Sequence, residues 1–135
     1  DNIRIGLNKD LGFSDDDRKE NIRRISEVSR LMLDAGLIVI TAFISPFEEE
    51  RELAKSLVKE ENYFLVHVNC SVEKCEERDV KGLYKKARAG EIKNFTGIDS
   101  PYEIPNKPNL IVDTEKESVS ESVDKIFSAI SNKIK

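Results

Sequence analysis

The pattern of apolar and polar positions over residues 14–43 predicts a helix followed by a buried strand. Residues 14–17 (Ser-Asp-Asp-Asp) form a helix start, in which Ser14 caps the first turn and the acids favour the positive end of the helix dipole. Apolar side chains then recur at helical spacing from Ile22 to Met32, and Ala35-Gly36 supplies the stop. Residues 37–43 form a continuous apolar run rich in β-branched side chains, which is typical of a strand buried on both faces of a parallel sheet.

The same patterns predict the remaining elements. These are a helix over 48–59, a strand over 63–69, a short helix over 71–77, a strand over 110–112 and an amphipathic helix from 119 onwards. Residues 79–107 are basic and poor in core side chains, which indicates a long loop or lid with one helix over 83–89. Strands that alternate with helices imply right-handed crossovers, so we predict an α/β fold, a three-layer parallel sheet with helices on both faces. Because the first helix has no strand before it, we expect at least one further β-α unit upstream of Asp1.

Composition narrows the class of protein. The 135 residues predict a single domain, and 22 Lys and Arg against 26 Asp and Glu leave a net charge of −4. No apolar run reaches the roughly 18 residues that a membrane helix needs, and mild acidity argues against general nucleic-acid binding. We therefore expect neither a membrane nor a nucleic acid as partner. The two cysteines, Cys70 and Cys75, are too few for a disulfide framework, which favours a reducing compartment such as the cytoplasm.

Two groups of polar residues near the start of the chain are candidates for chemistry. Asp1, Asn2 and Arg4 offer a carboxylate, an amide and a guanidinium, a set that suits magnesium or hydroxyl activation, orientation and anion binding. A plain polar terminus is the alternative. Arg18 and Asn21 are three residues apart on the predicted helix, so they share a face and could bind one ligand together. A solvated face with salt bridges to the preceding acids is the alternative there.

Two further features lie where the predicted sheet would bind a ligand, beyond the carboxyl ends of its strands. Ser45 follows the predicted buried strand and could position a phosphate or accept a phosphoryl group. His67 is predicted to lie within a strand, which argues against a serine-hydrolase triad. The basic segment 81–93 suits closure over a triphosphate, with a nucleic-acid patch or a solvated face as alternatives. No G-x-x-x-x-G-K-[ST] motif occurs in the 135 residues.

Several long motifs, in the correct order, resemble the adenylylsulfate kinase (APS kinase) family. They are DNIR at 1–4, GLNKDLGFS at 6–14, ENIRR at 20–24, TAFISP at 41–46 and the stretch 81–103, which ends in GIDSPYE. The resemblance covers residues 1 to about 105 and implies a P-loop kinase fold. It also implies transfer of the ATP γ-phosphoryl group to the 3′-hydroxyl of adenylyl sulfate, giving PAPS and ADP, with ATP and Mg²⁺ required. That reaction belongs to sulfate assimilation.

The resemblance further implies roles for individual residues. Asp1 would be the second acid of the family's Asp-Gly-Asp-Asn motif, near Mg²⁺ and the 3′-hydroxyl. Ser45 is the position proposed in the family as a phosphoserine intermediate, although direct in-line transfer is physically simpler. Phe13 and Phe95 would pack on the adenine. The full set implied to hold adenylyl sulfate is Asn2, Arg4, Phe13, Arg18, Asn21, Ile44, Ser45, Lys81, Asn94 and Phe95. The set implied to face ATP is Arg78 and the lid residues Lys85, Lys86 and Arg88.

The chain departs from the family pattern in two ways. Ile5 replaces a histidine that is common in the family, and the P-loop with its lysine lies outside the 135 residues. An adenylylsulfate kinase domain without its N-terminal P-loop segment is the leading interpretation. The alternatives are a non-catalytic domain that binds adenylyl sulfate or regulates a partner, and a related small-molecule kinase with another acceptor. The expected partners are a second copy of the chain and a sulfurylase, fused or separate.

Overall fold

The structure is a computed structural model that describes residues 2–134. Its helices are α1 (Asn2–Ile5), α2 (Asp15–Asp34), α3 (Glu48–Val58), α4 (Val72–Arg78), α5 (Leu83–Arg88) and α6 (Val119–Ile130). Its strands are β1 (Val66–Asn69) and β2 (Leu110–Asp113), and a single 3₁₀ turn covers Glu60–Asn62. The described residues divide into two compact units. The first contains the residues up to Tyr63 together with Tyr102–Ile104, and the second contains Phe64–Pro101 and the residues from Pro105 onwards.

The first unit is built around the packing of α2 against α3. Helix α2 begins where the sequence predicts, because the Ser14 hydroxyl accepts the backbone N–H of Asp17 at 3.2 Å. Ile22 and Ile25 on α2 and Val58 at the end of α3 supply the buried apolar side chains. The predicted helices over 14–34 and 48–59 are therefore confirmed to within about one residue at each end.

The predicted buried strand over residues 37–43 is wrong for this structure. The segment carries no strand assignment, and Leu37, Ile38 and Ile40 are 55%, 65% and 88% exposed. A β-branched run favours an extended backbone, but a strand also requires a neighbour that completes its hydrogen-bond ladder. Within the described part of the first unit, no strand lies alongside this segment to supply one.

The second unit contains a parallel pair of strands. β1 pairs with β2 from Val66↔Leu110 to Asn69↔Asp113, which confirms the predicted parallel topology. Val112 is 1% exposed, and α6 packs against β2. Helix α6 begins with a capping box, in which the hydroxyl of Ser118 and the carboxylate of Glu121 satisfy each other's backbone N–H groups. No helix in the described range 2–134 has the length and apolar character needed to cross a membrane.

Candidate functional site

A cavity of about 260 Å³ in the first unit collects most of the ligand-binding residues predicted near the start of the chain. It is lined by Arg4, Phe13, Arg18, Asn21, Ile22, Ala42, Phe43, Ile44, Ser45 and Pro46. Six of these ten were predicted, whereas the other four are apolar residues of the predicted helix (Ile22), the predicted strand (Ala42 and Phe43) and the loop after it (Pro46). The segment 42–46 thus forms one wall, although it is not the strand that its pattern predicts.

Arg4 and Phe13 form one stacked pair on the cavity wall. The Arg4 guanidinium lies 4.5 Å from the centroid of the Phe13 ring, and its Nη1 donates to the carbonyl of Gly12 at 2.7 Å. The Phe13 side chain is 58% exposed, so a face of the ring is available to a ligand. A cation over an aromatic ring stabilises both groups and fixes the orientation of the ring.

Arg18 is a second arginine at the same cavity. It is buried, its Nε donates to the carbonyl of Phe13 at 3.1 Å, and its guanidinium lies 6.0 Å from the Phe13 ring centroid. Burial of Arg18 and of Asn21 shows that the alternative of a solvated helix face is wrong for these two residues. Two guanidinium groups on one cavity wall suit an anionic ligand, because the guanidinium fork matches the oxygens of phosphate and sulfate groups.

Asn21 is oriented by a residue that the sequence analysis gave no role. The Asn8 side-chain amide donates to Asn21 Oδ1 at 2.9 Å, and Asn8 is completely buried. The Asn8 backbone N–H in turn donates to the carbonyl of Ile3 at 2.9 Å, which holds the turn after α1 in place. The only sequence signal for this role is that Asn8 lies in the motif GLNKDLGFS at 6–14. Most other residues of that motif are exposed. The bond fixes the side chain of Asn21, which lines the cavity.

A network of four charged side chains holds the turn that contains Asn8 against α2. Both Nη atoms of Arg24 donate to the Asp10 carboxylate at 2.8 Å, and Arg24 Nε donates to Glu20 at 2.8 Å. Arg23 donates to the same Glu20 carboxylate at 2.7 Å. The hydrogen bond from Arg23 and, to a smaller extent, that from Arg24 lower the pKa of Glu20 from 4.5 to about 2. We call these four side chains the Glu20 brace.

The Glu20 brace predicts a loss of stability in acid. A carboxyl group whose pKa is depressed on folding stabilises the protein above its unfolded pKa of 4.5, and that contribution is lost as the pH falls towards 2. We expect the free energy of unfolding of the Glu20→Gln variant to fall less between pH 6 and pH 3 than that of the wild type. Urea unfolding at both pH values measures the difference. Glu52→Gln, an exposed position on α3, is the control, and equal losses in all three proteins would contradict the prediction.

Glu50, on the first turn of α3, is an unusual buried acid that the sequence analysis missed. It is 2% exposed, and no side chain within residues 2–134 donates a hydrogen bond to its carboxylate. Burial raises the pKa of Glu50, against opposing effects from the backbone of Phe47 and the charges of Arg18, Lys19 and Arg51.

One predicted site residue of the first unit lies at a different cavity. Asn2 lines a second cavity of about 390 Å³, which is mainly apolar and includes Ile25, Met32 and Phe43. Asp1, the predicted catalytic acid and magnesium ligand, lies outside the described residues. Within residues 2–134, no group of three or more His, Cys, Asp or Glu side chains is placed to hold a metal ion.

The adenylyl-sulfate residues predicted beyond residue 80 belong to the second unit. Lys81 is exposed after α4. Phe95 packs edge-on against Tyr84, with ring centroids 4.9 Å apart and an interplanar angle of 73°. Asn94 has a positive φ of 57°, and its backbone N–H donates to the Asp99 carboxylate at 2.8 Å. That carboxylate shapes the turn that presents Phe95.

The predicted ATP-facing residues also belong to the second unit. Arg78 Nη1 donates to the hydroxyl of Thr114 at 3.3 Å, and Arg88 Nε donates to Glu76 at 2.8 Å. Lys85 and Lys86 are exposed on α5. Arg78 and Arg88 therefore bond to polar side chains, whereas Lys85 and Lys86 are exposed to solvent.

Comparison with known proteins gives one family for most of the chain. The family model described as adenylylsulphate kinase matches residues 1–113. The adenylyl-sulfate kinase of Oceanobacillus iheyensis is 56% identical over 133 residues, which cover 98% of this chain and 67% of the relative. That of Staphylococcus carnosus is 61% identical over 127 residues, covering 94% of this chain and 64% of the relative. The chain therefore spans about two thirds of the length of these relatives.

A solved structure shows the same fold. The APS kinase of Mycobacterium tuberculosis, determined in complex with AMPPNP and APS, superposes with a TM-score of 0.89 at 44% identity. The match covers 96% of this chain and 76% of that one. The predicted α/β class of the P-loop kinases is therefore confirmed at the level of the fold.

Proposed function

Because the chain belongs to the adenylylsulphate kinase family, we propose that the protein phosphorylates adenylyl sulfate. The γ-phosphoryl group of ATP passes to the 3′-hydroxyl of the acceptor and yields PAPS and ADP, a reaction of sulfate assimilation. Since the 135 residues contain no P-loop motif, we assign to them chiefly the acceptor side of the site.

One observation carries this proposal: Arg4, Arg18 and Phe13 converge on one cavity. Adenylyl sulfate combines a flat aromatic base with a phosphosulfate group that is anionic at neutral pH. The exposed Phe13 ring offers a stacking face for the base, and the two guanidinium groups offer paired donors to anionic oxygens. Other nucleotides share both features, and the family of the chain selects adenylyl sulfate among them.

The proposed roles of the residues follow from their positions. Arg4, Arg18 and Asn21 hold and orient the acceptor, and Ile44 and Ser45 line the same cavity. No histidine lines the cavity among the described residues, so we propose direct in-line transfer to the 3′-hydroxyl rather than a phosphoserine formed on Ser45. Lys81, Asn94 and Phe95 would complete acceptor binding, and Arg78, Lys85, Lys86 and Arg88 would neutralise charge on ATP. Phosphoryl transfer depends mainly on such positioning and charge neutralisation.

The cofactor, compartment and partners are also proposals. Magnesium in nucleotide sites is held by one or two carboxylates together with substrate phosphates, and Asp1 is the carboxylate that we propose for it. A dependence on ATP and two free cysteines support action in the cytoplasm. A homodimer and a sulfurylase, fused or separate, are the proposed protein partners.

The proposed activity is tested by ADP release. The full-length protein, supplied with MgATP, is expected to release ADP only when adenylyl sulfate is added, and EDTA is expected to stop the reaction. A coupled spectrophotometric assay measures the release, and chromatography identifies PAPS as the second product. Calorimetric binding of adenylyl sulfate without any turnover would favour a non-catalytic binding domain instead. Neither binding nor turnover would refute both functions.

A further inference from the structure

A buried arginine connects the loop that carries Ser45 to a distant segment of the chain. Arg51 lies on α3 and is 3% exposed. Its Nη1 donates to the carbonyl of Ser45 at 2.6 Å, and its Nη2 donates to the carbonyl of Glu103 at 2.8 Å. Its Nε donates to the carboxylate of Glu48 at 2.9 Å, so all three guanidinium nitrogens are engaged. The guanidinium also lies 6.0 Å from the ring centroid of Tyr102.

Glu103 reinforces this connection through its own backbone and side chain. Its backbone N–H donates to the carbonyl of Pro46 at 2.8 Å, and its carboxylate accepts the backbone N–H of Glu48 at 2.6 Å. Together with the bond from Arg51 to Ser45, these contacts hold the loop 45–48 at three backbone groups. Arg51 and Glu103 do not line the cavity, but their hydrogen bonds hold the loop that forms one of its walls.

Ser45 needs such support because its backbone is strained. Its φ is +36°, in the left-handed half of conformational space that side chains with a Cβ rarely adopt. A residue other than glycine persists there only when its surroundings determine the conformation. The hydrogen bond from Arg51 Nη1 acts on the carbonyl of this same residue.

We propose that Arg51 is a positioning residue for the adenylyl-sulfate cavity: through the Ser45 carbonyl, it holds Ser45 in the conformation that presents its side chain to the ligand. Arg51 is not among the residues that line the cavity, so its effect passes through Ser45. This inference rests on the proposed function, because adenylyl sulfate is the ligand whose binding is measured. Lysine cannot replace Arg51, since a single ammonium group cannot span the Ser45, Glu48 and Glu103 acceptors in the planar geometry of a guanidinium.

The test measures the affinity of the full-length protein for adenylyl sulfate by calorimetry. Arg51→Lys and Arg51→Gln are each expected to raise the Kd about tenfold, a loss of about 1.4 kcal/mol, because Ser45 is then no longer held in its observed conformation. The Kd of ATP is expected to stay unchanged. Arg30→Gln is the matched control, because Arg30 pairs with Glu27 at the same spacing as Arg51 with Glu48 but is half exposed and lines neither cavity.

A second comparison separates positioning from a general loss of stability. Glycine adopts a positive φ without strain, so Arg51→Lys is expected to weaken binding much less in a Ser45→Gly background than in the wild type. Unfolding temperatures of all variants show which are folded, and Arg51→Lys carries the test if Arg51→Gln does not fold. Equal losses in both backgrounds, or wild-type affinity in a folded Arg51→Lys variant, would overturn the inference while leaving the proposed function intact. A wild-type protein that does not bind adenylyl sulfate would overturn both.

Discussion

Replacing Arg18 by glutamine is expected to weaken the binding of adenylyl sulfate by about tenfold to a hundredfold. Arg18 is a buried cation on the cavity wall, where a hydrogen bond to a charged group contributes about 1.5–3 kcal/mol. Glutamine keeps a polar side chain but removes the charge and the planar fork that matches two anionic oxygens. Calorimetric titration of wild type and variant with adenylyl sulfate measures the effect.

Lys19→Gln is the matched control for Arg18→Gln. It removes the same charge from the adjacent position of α2, but Lys19 is exposed and pairs with Glu49 at 3.1 Å. We expect the affinity of the Lys19 variant to stay within about twofold of the wild type, because screened surface charges contribute little. If the two variants lose affinity equally, the effect of Arg18 is one of net charge, and its proposed contact with the ligand is wrong.

Breaking the bond between Asn8 and Asn21 is expected to have the second large effect, on both stability and binding. Asn21→Ala leaves the Asn8 amide buried without its acceptor, which costs about 1–3 kcal/mol of unfolding free energy. Asn8→Ala is expected to cost a similar amount. It is also expected to weaken the binding of adenylyl sulfate, although Asn8 does not line the cavity, because it releases the side chain of Asn21. Urea unfolding and calorimetry measure the two effects.

A double-mutant cycle shows whether these effects come from the bond itself. If the bond is responsible, the Asn8→Ala, Asn21→Ala double variant loses less stability than the two single variants together. Asn62→Ala is the control, since Asn62 is exposed and donates to the carbonyl of Val58, so its loss is expected to stay within about 0.5 kcal/mol. Strict additivity at positions 8 and 21 would show that the bond contributes nothing to stability.

The helices were predictable because their signals are local. Helix α2 begins at a serine whose hydroxyl accepts an N–H three residues later, and that pattern can be read directly from residues 14–17. The parallel pairing of β1 with β2 was also predictable, since an apolar strand, a crossover and a second strand follow each other along the chain. The predicted strand over residues 37–43 was wrong because a strand depends on neighbours that its own sequence does not specify.

The candidate site was predictable in its chemistry but not in its construction. From the sequence, through the chemistry of the residues and the family resemblance, Arg4, Phe13, Arg18 and Asn21 were predicted to bind adenylyl sulfate, and the described structure places them around one cavity. Only the tertiary structure decided how those groups are held. Asn8 orients Asn21 across 13 residues, and Arg51 reaches Glu103 across 52 residues. Such contacts leave no periodic or short-range pattern, because they arise only when the packing of α2 against α3 buries polar groups that must then find partners.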